Sequence, residues 1–159
     1  MNIRQGTSTD AFCLSSLCKD VQRLHAAHHP DVFIMPQSED FALSFFEAML
    51  ADPTVRIFIA EEDGEEVGYI LCKLVERPAN PFTVAMRSLL IDQISVRPTA
   101  RRRGVGEALM HQAERLANDW HVTRIQLDSW DFNLEAHAFF ERMGFQKFNF
   151  RFWRSLHGK

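Results

Sequence analysis

One continuous stretch decides the fold: Asp92–Met110, which reads DQISVRPTARRRGVGEALM. Its first residues indicate a buried strand closed by Pro98, and the residues from Gly104 onward have the spacing of a helix. Three arginines, Arg101–Arg103, directly precede the helix, although cations are unfavourable beside the partial positive charge of a helix N-terminus. Gly104 and Gly106 let a ligand approach the backbone closely, and the first-turn N–H groups of a helix are unpaired. The stretch therefore predicts an anion site that fits a phosphate or pyrophosphate.

Length and composition predict one ordinary globular domain spanning residues 1–159. The chain is 46% hydrophobic and 25% charged, which suffices to bury a sizeable core. Its formal net charge of -3 argues against a globally basic nucleic-acid binder. No apolar run approaches the roughly 20 residues that cross a bilayer, so we expect no transmembrane span and no membrane partner.

The N-terminus and the cysteines point to a cellular compartment. The first residues lack the apolar segment of a secretory signal. Cys13, Cys18 and Cys72 are odd in number and form no Cys-x-x-Cys pair, which favours free thiols in a reducing compartment over a disulfide framework. We therefore expect a cytoplasmic protein.

Hydrophobic periodicity predicts elements in the order βααβββαβαβ, which is an α/β (α+β) fold with a mixed central sheet flanked by helices. The expected strands cover residues 2–5, 55–61, 67–75, 89–96, 124–129 and 147–152. The first expected helix ends near residue 28, and the other three cover about 41–50, 104–120 and 133–143. The last strand is predicted because Phe148, Phe150 and Phe152 alternate with polar residues. We expect this aromatic stripe to belong to the sheet core.

Two motifs in sequence order resemble those of a known family. Arg101–Gly106 matches the pattern Arg/Gln-x-x-Gly-x-Gly/Ala, and Ile94–Pro98 supplies the hydrophobic-x-Val-x-Pro run upstream of it. Asn133–Phe145 matches Asn-x-x-Ala-x-x-Phe-Tyr-x-Lys/Arg-x-Gly-Phe at every position except the Tyr. Over essentially its whole length the chain thus resembles the GNAT superfamily of acetyl-CoA-dependent N-acetyltransferases. The resemblance implies a mostly antiparallel central sheet.

The resemblance also assigns the co-substrate acetyl-CoA to particular positions. Backbone N–H groups of Arg102–Gly106 would bind the pyrophosphate, and the arginine side chains would add charge-assisted contacts. Ile94 and Val96 would pair with the pantetheine arm as with an added strand, and the Val96 N–H would stabilise the thioester oxygen as it becomes an oxyanion. No metal is implied. The expected cofactor contacts are Ile94, Ser95, Val96, Arg101, Arg102, Arg103, Gly104, Val105, Gly106, Asn133, Phe140 and Arg142.

The implied reaction is direct acetyl transfer to an amine of a small molecule or peptide. It needs a base, because only a neutral amine attacks the thioester. Asp92 is the candidate, since strand alternation is expected to place its side chain on one face with Ile94 and Val96. The alternative is an ordinary aspartate at a strand edge.

Phe140 departs from the family at a catalytic position, where a Tyr usually protonates the leaving CoA thiolate. A phenyl ring has no proton to give, and the only tyrosine of the chain, Tyr69, lies in a predicted strand and is expected to be structural. Solvent could protonate the thiolate, Ser129 or His137 could replace the Tyr, or activity could be weak or absent. The alternative function is therefore a catalytically impaired acyl-CoA-binding or regulatory protein.

The sequence does not identify the acceptor amine. In the family, the acceptor pocket is shaped by segments that correspond here to Leu24–Phe46 and Glu76–Ser88, and neither carries a pattern that names a substrate. Asp92 and Asp128 would suit a cationic acceptor without distinguishing among polyamines, aminoglycosides, amino acids and lysine side chains.

Three further features bear on a metal site, on RNA binding and on self-association. His25 and His29 lie one helical turn apart, but they are interpreted as a helix-end feature rather than metal ligands. The basic triplet and the C-terminal aromatic residues would suit a small RNA-binding module only if taken without the two motifs. The aromatic terminal strand could pair with a second chain and give a homodimer.

Overall fold

The structure, a computed structural model, describes residues 1–156 and contains two compact units, Met1–Asp128 and a second that begins at Ser129. The first unit contains β1 (Asn2–Gln5), α1 (Ala11–His28), α2 (Leu43–Ala51), β2 (Val55–Glu62), β3 (Glu65–Arg77), β4 (Met86–Val96), α3 (Val105–Asp119) and β5 (Ile125–Leu127). The second unit contains α4 (Leu134–Arg142). The predicted class and the predicted order of elements through α4 are confirmed. None of the helices among the described residues is both long and apolar enough to cross a membrane.

The sheet has the strand order β1-β2-β3-β4-β5, in which all neighbours are antiparallel except β4 and β5. The β2–β3 hairpin turns at Asp63 and Gly64, whose φ angles of 53° and 84° are left-handed, as a tight hairpin of matching twist requires. β5 runs parallel to β4 because α3 carries the chain across between them. β5 is short and pairs only with Leu89–Ile91 of β4. The edge of β4 beyond Ile91 therefore has no neighbouring strand within the described first unit.

Helices cover both faces of this sheet. On one face, α1 and α2 bury Leu14 and Phe46 against Ile59, Tyr69 and Leu71. On the other, α3 lies against β3 and β4 and buries a stripe at helical spacing, which consists of Val105, Leu109, Ala113 and Leu116. Each fully buried aliphatic side chain contributes roughly 1.5–3 kcal/mol. The central strands β3 and β4 are thus held from both sides, which fixes the backbone beside the predicted cofactor loop.

Arg4 of β1 fixes the start of α1. Its Nη1 and Nη2 each donate to a different carboxylate oxygen of Asp10 at 2.9 Å, and the Thr7 N–H donates to Asp10 Oδ2 at 2.7 Å. The bidentate hydrogen bonds from Arg4 hold the pKa of Asp10 below its usual value. The helix ends where predicted, at His28 before Pro30.

The predicted terminal strand is wrong. Within the described residues, 146–156 form no strand, and the side chains of Phe148, Phe150 and Phe152 are 88%, 69% and 90% exposed. Alternation of apolar and polar residues fits a pleated strand, but a strand also needs a neighbour for its backbone N–H and C=O groups. These residues have no such neighbour, so the aromatic stripe is not sheet core.

Candidate active site

The loop between β4 and α3 presents unpaired backbone N–H groups. Arg102 has a left-handed φ of 60°, and Gly104, the N-cap of α3, has a φ of 82°. Within the described part of the chain, the N–H groups of Arg102, Arg103 and Gly104 have no backbone acceptor. The first-turn N–H groups of α3 follow directly. Left-handed residues before a helix N-terminus turn successive N–H groups toward one concavity, which is a recurrent anion-binding arrangement.

The three arginine side chains of this loop differ in their contacts. Nε of Arg101 donates to the Val96 carbonyl at 3.2 Å, and Nη2 of Arg103 pairs with Glu62 at 3.0 Å. The Arg102 guanidinium has no partner among the described residues. Arg101 therefore ties the loop to the end of β4, and Arg103 ties it to β2.

The hydrogen-bond register of β4 determines which of its N–H groups are free. The Arg97 N–H donates to the Val67 carbonyl of β3 at 2.8 Å. Because N–H directions alternate along a strand, the N–H groups of Ile94 and Val96 point away from β3. On that side β5 has already ended opposite Ile91. The edge of β4 that was predicted to receive an extended ligand is therefore open within the first unit, and it offers two N–H donors.

A β-bulge interrupts β4 next to this open edge. Leu71 of β3 lies opposite Gln93 and Cys72 lies opposite Ile91, which leaves Asp92 without a partner residue. One extra residue shifts the alternation by one, so each later side chain of the strand lies on the opposite face from the one that strict alternation predicts. The expectation that Asp92 shares a face with Ile94 and Val96 is therefore wrong.

Asp92 instead projects from the α1 and α2 face of the sheet. Its carboxylate pairs with Nζ of Lys73 at 3.1 Å. Lys73 lies opposite Val55 in the register, and Val55 belongs to the core beneath α1 and α2. The Asp92 side chain is 29% exposed, so this carboxylate is partly accessible and already has a cation beside it.

Gln93 was not identified from the sequence, yet the structure places its side chain on this face, opposite Leu71 of β3. The Tyr69 hydroxyl donates to Gln93 Oε1 at 2.6 Å, and the Cys18 thiol lies 3.9 Å from the same oxygen. Burial raises the pKa of Tyr69 well above its usual value, so the hydroxyl keeps its proton. The neighbouring Ser95, a predicted cofactor contact, donates its hydroxyl to the Leu17 carbonyl of α1.

A cavity of about 630 Å³ opens beside Gln93 between α1, α2 and the loop that joins them. Its lining includes part of the segment that the resemblance assigned to the acceptor. The lining residues are Cys18, Gln22, Val32, Phe33, Ile34, Met35, Pro36, Gln37, Ser38, Phe41, Ala42, Phe45, Phe46 and Gln93. We call this cavity the Gln93 pocket.

The second predicted acceptor segment lies elsewhere. A depression of about 430 Å³ is lined by Glu76–Pro78 and Ala85–Arg87, at the opposite end of β4 from Val96. At about 3.3 Å per residue, Met86 and Val96 are roughly 30 Å apart along the strand. Of these two cavities of the described first unit, the Gln93 pocket is the one next to the open edge of β4.

In the second unit, the three remaining predicted site residues lie on or beside α4. Asn133 is the N-cap of α4, and its side-chain oxygen accepts from the Ala136 N–H at 3.3 Å. The Phe140 ring contacts Phe139 and Phe145, with centroids 5.5 and 6.0 Å apart. Arg142 is the last residue of α4.

The remaining candidate groups serve packing or are unreactive. His25 stacks on Phe33 with ring centroids 4.9 Å apart, and burial lowers its pKa. Burial raises the pKa of Cys13 to about 11 and that of Cys72 to about 12. These two thiols are therefore almost wholly protonated at neutral pH, and a thiol is a far weaker nucleophile than a thiolate.

Comparison with known proteins shows the family. The model of the acetyltransferase (GNAT) family matches residues 19–145. YhfO of Bacillus subtilis, an uncharacterized N-acetyltransferase, is 26% identical over 149 residues, which cover 92% of this chain and 91% of YhfO.

Solved structures show the same fold. A tetramutant of the BH1408 protein from Bacillus halodurans has a TM-score of 0.92 at 23% identity, over 98% of this chain and all 100% of that one. The aminoglycoside N-acetyltransferase AAC(6')-Iy, in complex with the bisubstrate analog CoA-S-monomethyl-acetylneamine, has a TM-score of 0.76 at 21% identity over 97% of each chain. Because the family model covers most of the sequence, the chain belongs to the GNAT family of acetyltransferases.

Proposed function

We propose that this protein transfers the acetyl group of acetyl-CoA directly to the amine of a small molecule or peptide. The observation that carries the proposal is that the loop before α3 and the open edge of β4 both present unpaired N–H groups and adjoin each other. The unpaired N–H groups of Arg102, Arg103 and Gly104 precede α3, and the open edge of β4 at Ile94 and Val96 leads up to them. A pyrophosphate with an extended amide-bearing arm matches this pair of surfaces.

The co-substrate would be held by backbone more than by side chains. The pyrophosphate would accept from the N–H groups of the loop and from the free guanidinium of Arg102. The amide groups of the pantetheine arm would pair with Ile94 and Val96 as a strand pairs with its neighbour. Arg101, which is bound to the Val96 carbonyl, would keep the loop and the strand edge in fixed relation.

The chemical step is a substitution at the thioester carbon. The neutral amine nitrogen attacks, a C–N bond forms, and the carbonyl oxygen becomes an oxyanion that the N–H of Val96 stabilises. The C–S bond then breaks, the amine nitrogen loses a proton, and the CoA thiolate gains one. A fixed N–H donor at such an oxyanion contributes roughly 10²–10³-fold in kcat.

Asp92 is the base that we propose for the amine. It lies on the bulge of β4, on the same face as the Gln93 pocket, and its carboxylate is partly accessible. Because this carboxylate is partly exposed to solvent and already pairs with Lys73, it would take the amine proton through a water molecule. Asp92→Asn should lower kcat, while the affinity for acetyl-CoA stays unchanged.

The test is isothermal titration with acetyl-CoA followed by an acetylation screen across amines. We expect saturable binding of acetyl-CoA, and acetylated product with CoA release in equal amounts. Absence of both binding and thermal stabilisation at millimolar acetyl-CoA would refute the proposal, since a ligand at 100 times its Kd adds about 2.7 kcal/mol to stability.

Phe140 favours a second candidate function, an acyl-CoA-binding or regulatory protein with impaired turnover. Its phenyl ring packs between Phe139 and Phe145 and has no proton to donate. Saturable acetyl-CoA binding without product from any amine would support this function, and clear turnover with any amine would eliminate it.

A further inference from the structure

The Gln93 pocket has an apolar and aromatic lining. Nine of its fourteen lining residues belong to the loop between α1 and α2, and seven of those nine are apolar. The other five come from α1, α2 and β4. None of the residues that line it is an aspartate, glutamate, lysine or arginine. A pocket without a carboxylate has nothing to pair with an ammonium group, and burying an unpaired cation is strongly unfavourable.

The polar groups around the pocket are already used to hold its walls. Nε2 of Gln22 donates to the Ile34 carbonyl at 2.8 Å, and Nε2 of Gln37 donates to the Met35 carbonyl at 3.1 Å. The Ala42 N–H donates to Ser15 Oγ at 3.0 Å. The loop between α1 and α2 is thus fastened along its length, so the pocket is largely formed before a ligand binds.

The nearby carboxylates are neutralised by other residues. Glu39 in this loop accepts from Ser16 Oγ at 2.8 Å and forms an ion pair with Lys19. Asp92 beside the pocket forms its ion pair with Lys73. A polycationic ligand would have to compete with a lysine for each of these carboxylates.

Gln93 determines the polar chemistry that remains at the inner end of the pocket. Its Oε1 accepts from Tyr69 at 2.6 Å, which leaves the Nε2 amino group as the end without a partner among the described residues. An N–H donor can bind an oxygen or a neutral nitrogen, but it repels the donor-only face of an ammonium. The part of a ligand that enters the pocket should therefore be apolar or accept a hydrogen bond, and an ammonium group should lie outside it.

We infer that the acceptor of this enzyme is a monoamine that carries one aromatic or branched apolar group, which fills the Gln93 pocket, and is not a polyamine or an aminoglycoside. The inference rests on the proposed acetyl transfer and specifies its acceptor. The apolar group would lie among Phe33, Phe41 and Phe45, and the amine would point toward the open edge of β4.

The experiment compares three amines as acceptors at one acetyl-CoA concentration: 2-phenylethylamine, ethylamine and spermidine. The phenyl ring should raise kcat/KM by at least about 10²-fold over ethylamine, because burying several carbon atoms exceeds the effect of one methylene. Spermidine should have the lowest kcat/KM of the three amines when the value is divided by its number of amine groups. A kcat/KM for spermidine at or above that of 2-phenylethylamine would overturn the inference while leaving the proposed transfer intact.

A matched pair of variants tests whether this pocket is responsible. Ile34 lines the pocket, Val84 lies outside it, and both are 81% exposed, so an aspartate at either position leaves the core intact. Ile34→Asp should lower kcat/KM for 2-phenylethylamine about tenfold or more and raise kcat/KM for spermidine. Val84→Asp should leave both kcat/KM values unchanged. Equal effects of the two substitutions would place the acceptor elsewhere.

A binding measurement separates failure of this inference from failure of the transfer itself. Calorimetry of 2-phenylethylamine with the protein needs no turnover, and we expect binding that Ile34→Asp weakens. If acetyl-CoA binds but 2-phenylethylamine neither binds nor is acetylated, the acceptor class is wrong. If acetyl-CoA does not bind, the proposed function is wrong even where the amine binds to the pocket.

Discussion

The Tyr69 hydroxyl donates a 2.6 Å hydrogen bond to Oε1 of Gln93, from β3 to the adjacent strand β4. Tyr69 is fully buried and packs edge-on against Phe46 of α2, with ring centroids 5.6 Å apart. The bond therefore joins the packing of the core to the orientation of a side chain that lines the Gln93 pocket. The only tyrosine of the chain orients a pocket amide from within the core, a position consistent with the structural role expected for it.

Tyr69→Phe tests this relationship. The variant keeps the ring but leaves Gln93 Oε1 without its main donor, so we expect a loss of about 1–3 kcal/mol in the free energy of unfolding. Urea denaturation would measure that loss, and the KM for 2-phenylethylamine should rise because the amide is no longer held in one orientation. An unchanged free energy of unfolding together with an unchanged KM would contradict the assigned role.

Gly104→Ala tests the loop before α3. Its φ of 82° is left-handed and an added Cβ would meet nothing within 4 Å, so the cost is backbone strain alone, about 1–2 kcal/mol. We expect lower stability and a higher Kd for CoA, because relief of the strain turns the N–H groups away from the anion.

Gly64→Ala is the matched control for Gly104→Ala. Gly64 has a φ of 84° in the β2–β3 hairpin and equally open space around it. Both variants should lose similar stability in thermal unfolding, but only Gly104→Ala should weaken CoA in calorimetry. Equal CoA affinity in the two variants would remove the loop from the cofactor site.

Asp10→Asn tests the Arg4 contact at the start of α1. Hydrogen bonds from Arg4 keep the pKa of Asp10 in the folded protein below the ordinary value of 3.8, so its contribution to stability is present above that pH. The contribution is lost as the pH falls through the lower pKa of the folded state. Asp10→Asn should therefore cost about 1–2 kcal/mol at pH 7 and progressively less below about pH 4.

Urea denaturation at several pH values measures this difference, with Asp31→Asn as the control. Asp31 is exposed and forms no ion pair among the described residues. A loss from Asp10→Asn that stays constant down to about pH 2 would show that the carboxylate charge is not what stabilises the helix start.

Phe140→Tyr tests the missing acid. A tyrosine at this family position restores a group that can protonate the CoA thiolate, so we expect kcat to rise by up to about 10²-fold with little change in the KM for acetyl-CoA. Steady-state rates with 2-phenylethylamine would measure it. An unchanged kcat, at a pH where chemistry limits the rate, would show that solvent or another residue already protonates the thiolate.

The strand-loop-helix at Asp92–Met110 could be predicted because its signals are local. Pro98 ends a strand, Gly104 begins a helix, and the apolar stripe of α3 has helical spacing, so each signal lies within a few residues of the element it defines. The bulge at Asp92 could not be predicted, since one extra residue in an apolar strand leaves no mark on the composition. The face of the sheet on which the Asp92 side chain lies depends on that one extra residue.

The terminal aromatic stripe and the Gln93 pocket illustrate the same limit. Phe148, Phe150 and Phe152 have the alternation of a strand, but a pattern within one segment does not show whether a neighbouring strand is available. Gln93 and the loop around Ile34 are far apart in sequence and share no period, so only the folded chain brings them together. The signal that was available for Gln93 was its place, as a polar residue, in a strand that the sequence predicts.

The most direct test of the account is the yield of N-acetylated 2-phenylethylamine from acetyl-CoA, measured by mass spectrometry together with CoA release by a thiol reporter. The raised pKa values of Cys13, about 11, and Cys72, about 12, keep those two protein thiols slow toward the reporter. We predict one acetylated amine for each CoA released, with no product when acetyl-CoA is left out. Absence of acetylated amine, together with absence of acetyl-CoA binding, would contradict the account.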